Sequence, residues 1–229
     1  MPRVRIKFKT FSGRKADHDA RGRAFVGISL NNHTMGSEQA LKQILEWTIH
    51  NVGAFDLLIG DYLNRFNYQA FDNDPEALAV EKAMRDGDEA RKKLSPLISV
   101  PGLYATVDLI SAANFCNQPA FHERRAHFEQ MHAANSEFRG LIEEGVKSYL
   151  KRKFPKVSLD EHVRRFCVAY QLEELVMFEA LAQQGYDTFV YPGGQLPVMK
   201  SIVSGSLPKI SSAIERLTLV ELRLFGETQ

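Results

Sequence analysis

Ala24-Phe25-Val26-Gly27-Ile28-Ser29-Leu30-Asn31-Asn32 reads as a buried β-strand that stops on a serine, and Phe55-Asp56-Leu57-Leu58-Ile59-Gly60-Asp61 reads as the next strand. Between them, Ser37 stands where it can cap a helix whose apolar positions Ala40, Leu41, Ile44, Leu45 and Ile49 recur on one face. A strand, a helix and a strand at this spacing make a crossover between parallel strands, which is right-handed almost always. The expected class is therefore α/β, with a mostly parallel central sheet flanked by helices.

Working outward, Val4, Ile6 and Phe8 alternate with basic residues, so residues 1–23 read as an edge strand or arm leading into a polar stretch from Ser12 to Arg23. Residues 24–229 read as a single domain with no internal repeat or linker. Asp74-Pro75-Glu76 opens a charged helix toward Leu94, weakened locally by the interior Gly87. Leu103 to Ile110 resembles another strand, and helical sequence runs from about Pro119 through Phe154 until Pro155 ends it. Ser158-Leu159-Asp160-Glu161 then starts a long helix carrying Val163, Phe166, Cys167, Tyr170, Glu174 and Met177 around one side. Gly185 terminates it, Thr188 to Tyr191 is a short strand, and Pro192-Gly193-Gly194 turns the chain into a helix near Leu196. Leu217 to Leu224 reads as the last strand.

A chain of 229 residues suits one large α/β domain, and a net charge of +1 means that any polyanion must be met by a local patch. Cys116 and Cys167 sit in apolar contexts and read as buried free thiols of a reducing cytoplasm. The N-terminus lacks the apolar core of a signal peptide, and no later run is long enough to span a bilayer. His122, His127 and His132 are spaced by five, share no helix face, and read as surface residues rather than a metal site.

In open α/β sheets, ligands bind in the crevice beyond the carboxyl ends of the strands, which is where Ser29 falls. A serine there commonly only bonds nearby backbone, so the rest of the chain must decide its role. Tyr170 and Glu174 are four apart on the long helix and share a face, a pairing of carboxylate and phenol that suits an ammonium group. Glu174 also lies among Leu172, Leu175 and Val176, and burying a carboxylate is costly without a partner. Tyr191 ends another strand and approaches the same crevice. Lys82, Arg85 and Arg91-Lys92-Lys93 on the charged helix can hold phosphates, although Asp86, Asp88 and Glu89 soften the field and a solvated helix is the default. Glycine-rich loops for dinucleotides or nucleoside triphosphates are lacking after the first strand, and Asn31 stands where a nucleophile elbow needs its second glycine.

Gly27-Ile28-Ser29, Tyr170-x-x-x-Glu174 and Tyr191-Pro192, with Trp47 in the first helix and the basic helix, resemble the signature of the cyclodipeptide synthases over essentially the whole globular part. The resemblance implies a Rossmann-like three-layer domain, similar to the catalytic domain of class I aminoacyl-tRNA synthetases of the tyrosine and tryptophan type. It implies an aminoacyltransferase that joins two aminoacyl-tRNAs into a cyclic dipeptide, a 2,5-diketopiperazine, without ATP, metal or other cofactor. By that resemblance Ser29 carries a covalent aminoacyl group and then a dipeptidyl group, Tyr170 and Glu174 grip the amino group, and Tyr191 positions and transfers protons. Phe25, Gly27, Leu58, Met177 and Phe189 fall where the family lines the first aminoacyl pocket. Arg91 and Lys92 fall on the helix that contacts the first tRNA, with Lys82, Arg85 and Lys93 beside them. The family divides in two by the residue three after the nucleophile and the one after the strand-end tyrosine; Asn32, placed with the substrate-binding residues, matches one group and Pro192 the other. A cytoplasmic monomer is expected. The alternatives are a non-catalytic tRNA-binding module, which needs no such set of four polar groups, and a hydrolase of aminoacyl esters, which would release free amino acid.

Overall fold

The computed structural model describes residues 4–12, 22–30, 37–99 and 107–226. In chain order the elements are β1 (Val4–Phe11), β2 (Arg23–Ile28), α1 (Glu38–Asn51), β3 (Phe55–Ile59), α2 (Arg65–Asn67), α3 (Glu76–Ile98), β4 (Leu109–Ser111), α4 (Ala113–Cys116), α5 (Pro119–Ala134), α6 (Ser136–Lys153), α7 (Glu161–Gln183), β5 (Tyr186–Tyr191), α8 (Pro197–Val203) and β6 (Thr218–Gly226). A tight turn at Tyr62–Asn64 and a wide one at Tyr68–Asp72 flank α2. Of the expected strand at Leu103 to Ile110, residues 103–106 lie outside the described residues, as do Asn31 and Asn32.

Six strands form one sheet in the order β1-β6-β5-β2-β3-β4. All neighbours are parallel except β1, which pairs antiparallel with β6 at the edge. From β2 the chain moves outward through β3 and β4, then returns to place β5 on the other side of β2. The switch point of the sheet therefore lies between β2 and β5, where α/β folds open their ligand crevice.

Strand periodicity assigns the two faces. Phe25 and Phe189 are register partners, and with Leu58 they join α5, α6, α7 and α8 in one core. Ala24, Val26, Ile28, Leu57, Ile59 and Val190 face the other way, against Leu41, Ile44 and Leu45 of α1 and Leu94 of α3. Ser37 caps α1 by accepting from the Ala40 N–H at 3.3 Å, and Asp160 caps α7 by accepting from Val163 at 2.9 Å.

Two details differ from the expectation. The helical stretch from Pro119 breaks into α5 and α6 because Asn135 turns extended and caps α6, its Oδ1 accepting from Glu137 and Phe138 N–H groups at 3.0 Å each. Gly87 does more than loosen α3, since a Cβ there would collide with the fully buried Asp61. The glycine lets the helix and the β3 end approach closely.

Candidate active site

On β2, residues 25 and 27 alternate onto the α7 side of the sheet, with Ser29 just past the strand's end, and on β5 residues 189 and 191 do the same. Gly27 is the gap in this surface. A Cβ there would lie 2.9 Å from Phe189 Cε2 and 3.2 Å from Tyr191 Cδ2, so glycine is what allows both rings to lean across β2. Both rings line a cavity of about 340 Å³ at the switch point, within the range of small-molecule sites.

Ser29, Tyr170, Glu174 and Tyr191 all line this cavity, together with Phe189. Strand β2, helix α7 and strand β5 thus converge on the crevice that the strand order predicts. Tyr170 reaches toward the strand ends, its hydroxyl lying 3.8 Å from where a Gly60 Cβ would be. Phe25, Leu58 and Met177 stand behind the wall instead: all three are buried in the core, Phe25 stacked on Phe189 with ring centroids 4.6 Å apart. They support the shape of the cavity without forming its surface.

Two adjacent glutamates show how α7 divides its labour. Glu173 is 1% exposed and fully paired, accepting from Arg65 at 2.7 and 2.8 Å and from Arg125 at 2.6 Å. Glu174, one residue on and rotated toward the cavity, has no hydrogen-bond or ion-pair partner among the described residues. Burial alone pushes its carboxyl up to about 8. A carboxylate kept without a cation, in a cavity with room for one, is poised for a positively charged ligand group. Burial first, and then the proximity of Glu174, Tyr149 and Tyr191, raise the Tyr170 phenol well above its ordinary value, so it stays protonated and able to donate.

The remaining wall was not singled out by sequence reading. From α6 come Glu144, Gly145, Ser148, Tyr149, Arg152 and Lys153, and from α7 Cys167 and Gln171. Tyr149 donates to Asn67 Oδ1 at 2.9 Å, tying α6 to α2. The loop after β5 closes the far side; Glu221 anchors it by accepting from the Gln195 N–H at 2.9 Å and pairing with Lys200. Burial raises the Cys167 thiol to about 12, and both cysteines are free and buried. His132 is half-buried beside Glu143 rather than on the surface, and burial lowers its pKa. Among the described residues no group of His, Cys, Asp and Glu can hold a metal, and no helix is long and apolar enough to cross a membrane.

The basic helix α3 separates into two sets. Lys82 pairs with Asp74 at 2.6 Å, and Arg91 pairs with Asp61 and with Asp88, the latter at 2.7 Å. Arg85, Lys92 and Lys93 are exposed.

A family model described as cyclodipeptide synthase matches residues 10–191. No curated protein matches the sequence. Among solved structures, a cyclodipeptide synthase from Fluoribacter dumoffii superposes with a TM-score of 0.80 at 17% identity, covering 98% of this chain and 99% of that one. A Mycobacterium tuberculosis protein, whose structure is described as demonstrating that cyclodipeptide synthetases are related to type I tRNA synthetases, gives 0.73 at 17% identity over 97% and 94% of the two chains. A cyclodipeptide synthase from Candidatus Glomeribacter gigasporarum, bound to Phe-tRNAPhe, gives 0.63 at 20% identity over 90% and 89%. The Rossmann-like fold is shared with all three.

Proposed function

The chain belongs to the cyclodipeptide synthase family, whose members are tRNA-dependent aminoacyltransferases, and on that premise we propose that Ser29 is the residue acylated during cyclic dipeptide formation. The Ser29 hydroxyl attacks the ester carbonyl of a first aminoacyl-tRNA; the ribose oxygen leaves with the hydroxyl proton, and the amino acid stays on Ser29 as an ester. The amine of a second aminoacyl-tRNA then attacks that ester, freeing the Ser29 oxygen and making a dipeptidyl-tRNA, whose acyl carbon returns to Ser29 as the tRNA leaves. Attack by the dipeptide's own amine on the Ser29 ester closes the ring and releases the enzyme. Because the last step is intramolecular, holding the two ends together replaces a bimolecular encounter, an advantage worth effective molarities of roughly 10⁵ M or more in favourable systems. The building blocks arrive already activated, so the scheme needs no ATP.

The observation that carries this reading is the unpaired Glu174 carboxyl beside Ser29, Tyr170 and Tyr191 in one cavity. An empty site keeps Glu174 protonated near neutral pH. An arriving ammonium group stabilises the carboxylate, and a carboxyl balanced near neutrality can take a proton from the amine before it attacks. Tyr170, held neutral, donates a hydrogen bond to the same substrate end, and Tyr191 faces it from β5. The related synthase bound to Phe-tRNAPhe supports aminoacyl-tRNA as the partner, and exposed Arg85, Lys92 and Lys93 are the α3 cations placed to meet phosphates.

The test is intact-protein mass spectrometry after mixing with aminoacyl-tRNA. Wild type gains the mass of one aminoacyl group and Ser29→Ala gains none, with loss of the cyclic product. Undiminished product from Ser29→Ala overturns the assignment. Release of free amino acid alone from wild type points instead to an ester hydrolase.

A further inference from the structure

One polar side chain of the cavity wall is used neither by the fold nor by the chemistry proposed above. Gln171 follows Tyr170 on α7, is 4% exposed, and lines the cavity. Among the described residues its Oε1 has no hydrogen-bond partner. The amide is pressed against Gly145 of α6, where a Cβ would stand 2.5 Å from Oε1 and 3.0 Å from Nε2. The glycine makes the space that the amide occupies. Cys167 and Phe178 share its stripe of α7, and the Tyr149 hydroxyl is donated to Asn67.

A buried amide oxygen without a partner is costly, and such groups in native proteins commonly mark a place where something else binds. Oxygen and nitrogen of a glutamine amide exchange places by rotation, so the group can accept from or donate to whatever enters. Position matters as well. Gln171 lies three residues before Glu174, so the two side chains stand on one face of the helix with Cβ atoms about 5–6 Å apart. That is about the distance from the amino group of an amino acid to the polar end of a medium-length side chain. We propose that Gln171 is a specificity-determining residue. It hydrogen-bonds a neutral polar group at the end of one of the two aminoacyl side chains, and thereby selects a building block with such a group over an aliphatic one. The inference rests on the synthase reading, and its geometry assigns the ammonium to Glu174 and the side-chain end to Gln171.

A competition among all charged tRNAs tests it. Purified protein is given total aminoacyl-tRNA, and the cyclic dipeptides are quantified by mass spectrometry. Wild type should make products in which one residue carries a neutral hydrogen-bonding side chain. Gln171→Met should lower the ratio of those products to wholly apolar ones by about tenfold or more, because a site built to hydrogen-bond a substrate group discriminates strongly against analogues lacking it. Since the Gln171 amide oxygen is unbonded among the described residues, the melting temperature of Gln171→Met should stay level or rise. Gly145→Ala, which displaces the amide without altering it, should move the product ratio in the same direction. Diketopiperazines made in an unchanged ratio by both variants, or a wild type that makes only apolar ones, overturn the specificity role while leaving the synthase reading intact. Absence of any diketopiperazine from wild type overturns both.

Discussion

Arg91 of α3 bonds the fully buried carboxylate of Asp61, which lies two residues past the end of β3 and also accepts from Ser111 at 2.6 Å and from the Tyr62 N–H at 2.8 Å. The basic helix is thereby fastened to the carboxyl ends of β3 and β4. Its charges therefore serve two purposes that substitution can separate.

Arg91→Ala should cost about 2 kcal/mol of stability, since it leaves a buried carboxylate without its cation, and chemical denaturation will read the loss. Joint substitution of Arg85, Lys92 and Lys93 by alanine should leave the unfolding midpoint almost unmoved. It should instead flatten the dependence of tRNA affinity on salt, by about 0.7 to 0.9 in the logarithmic slope for each phosphate no longer neutralised. A salt slope equal to that of wild type would remove α3 from the tRNA surface.

Glu174→Gln should stabilise the protein at alkaline pH. The folded carboxyl is raised to about 8, above the ordinary value near 4.3 in the unfolded chain. The native state therefore holds a proton that the unfolded chain releases between those values. That contribution to stability is complete below the unfolded value and is lost as pH rises through about 8. Melting curves across this window should show wild type declining against the glutamine variant, which gains at least about 2 °C above pH 8. The same variant should lose most of its aminoacyl transfer, having no charge for the ammonium group. Parallel melting curves at all pH values would show that Glu174 is not protonated in the empty site.

Glu173→Ala should do the reverse. Removing the carboxylate shared by Arg65 and Arg125 strands two cations, one of them almost wholly buried. A loss of about 3–5 kcal/mol in denaturation is expected. Stabilities that rank Glu174→Gln below Glu173→Ala at pH 8 would invert the division of roles between the two.

Gly27→Ala should narrow the cavity. The added methyl forces the Phe189 and Tyr191 rings aside, at a stability cost of about 1–3 kcal/mol for overpacking. Because Tyr191 moves with it, acylation of Ser29 should slow by more than the small loss of folded protein explains. Rates measured by rapid quench on folded protein decide the matter.

What sequence revealed and what it hid follow from distance along the chain. The β2-α1-β3 unit is written in local periodicity and a capping serine, and Ser29 is placed by the strand end alone. Tyr170 and Glu174 were legible because one helical turn relates them. The break at Asn135 was also local, an asparagine followed two residues later by glutamate, yet it is overlooked when the surrounding stretch is read as helical throughout. Other features need the tertiary fold: Arg65 meets Glu173 across 108 residues, and Arg91 meets Asp61 across 30. The spacing from Tyr170 picks out Glu174, but nothing local reveals that its neighbour Glu173, rotated about the α7 axis, is paired with Arg65 and Arg125. Phe25, Leu58 and Met177 are buried in the core, with Phe25 stacked on the cavity-lining Phe189, a layering that arises from tertiary packing.

The thiol of Cys167 shares the cavity with the hydroxyl of Ser29, and sulfur is ordinarily the better nucleophile once ionised. At neutral pH burial leaves it almost wholly un-ionised. Under the proposed chemistry this keeps the intermediate an oxygen ester: the acyl group has no competing thioester to migrate to, and the cavity can hold a cysteine without diverting its own reaction.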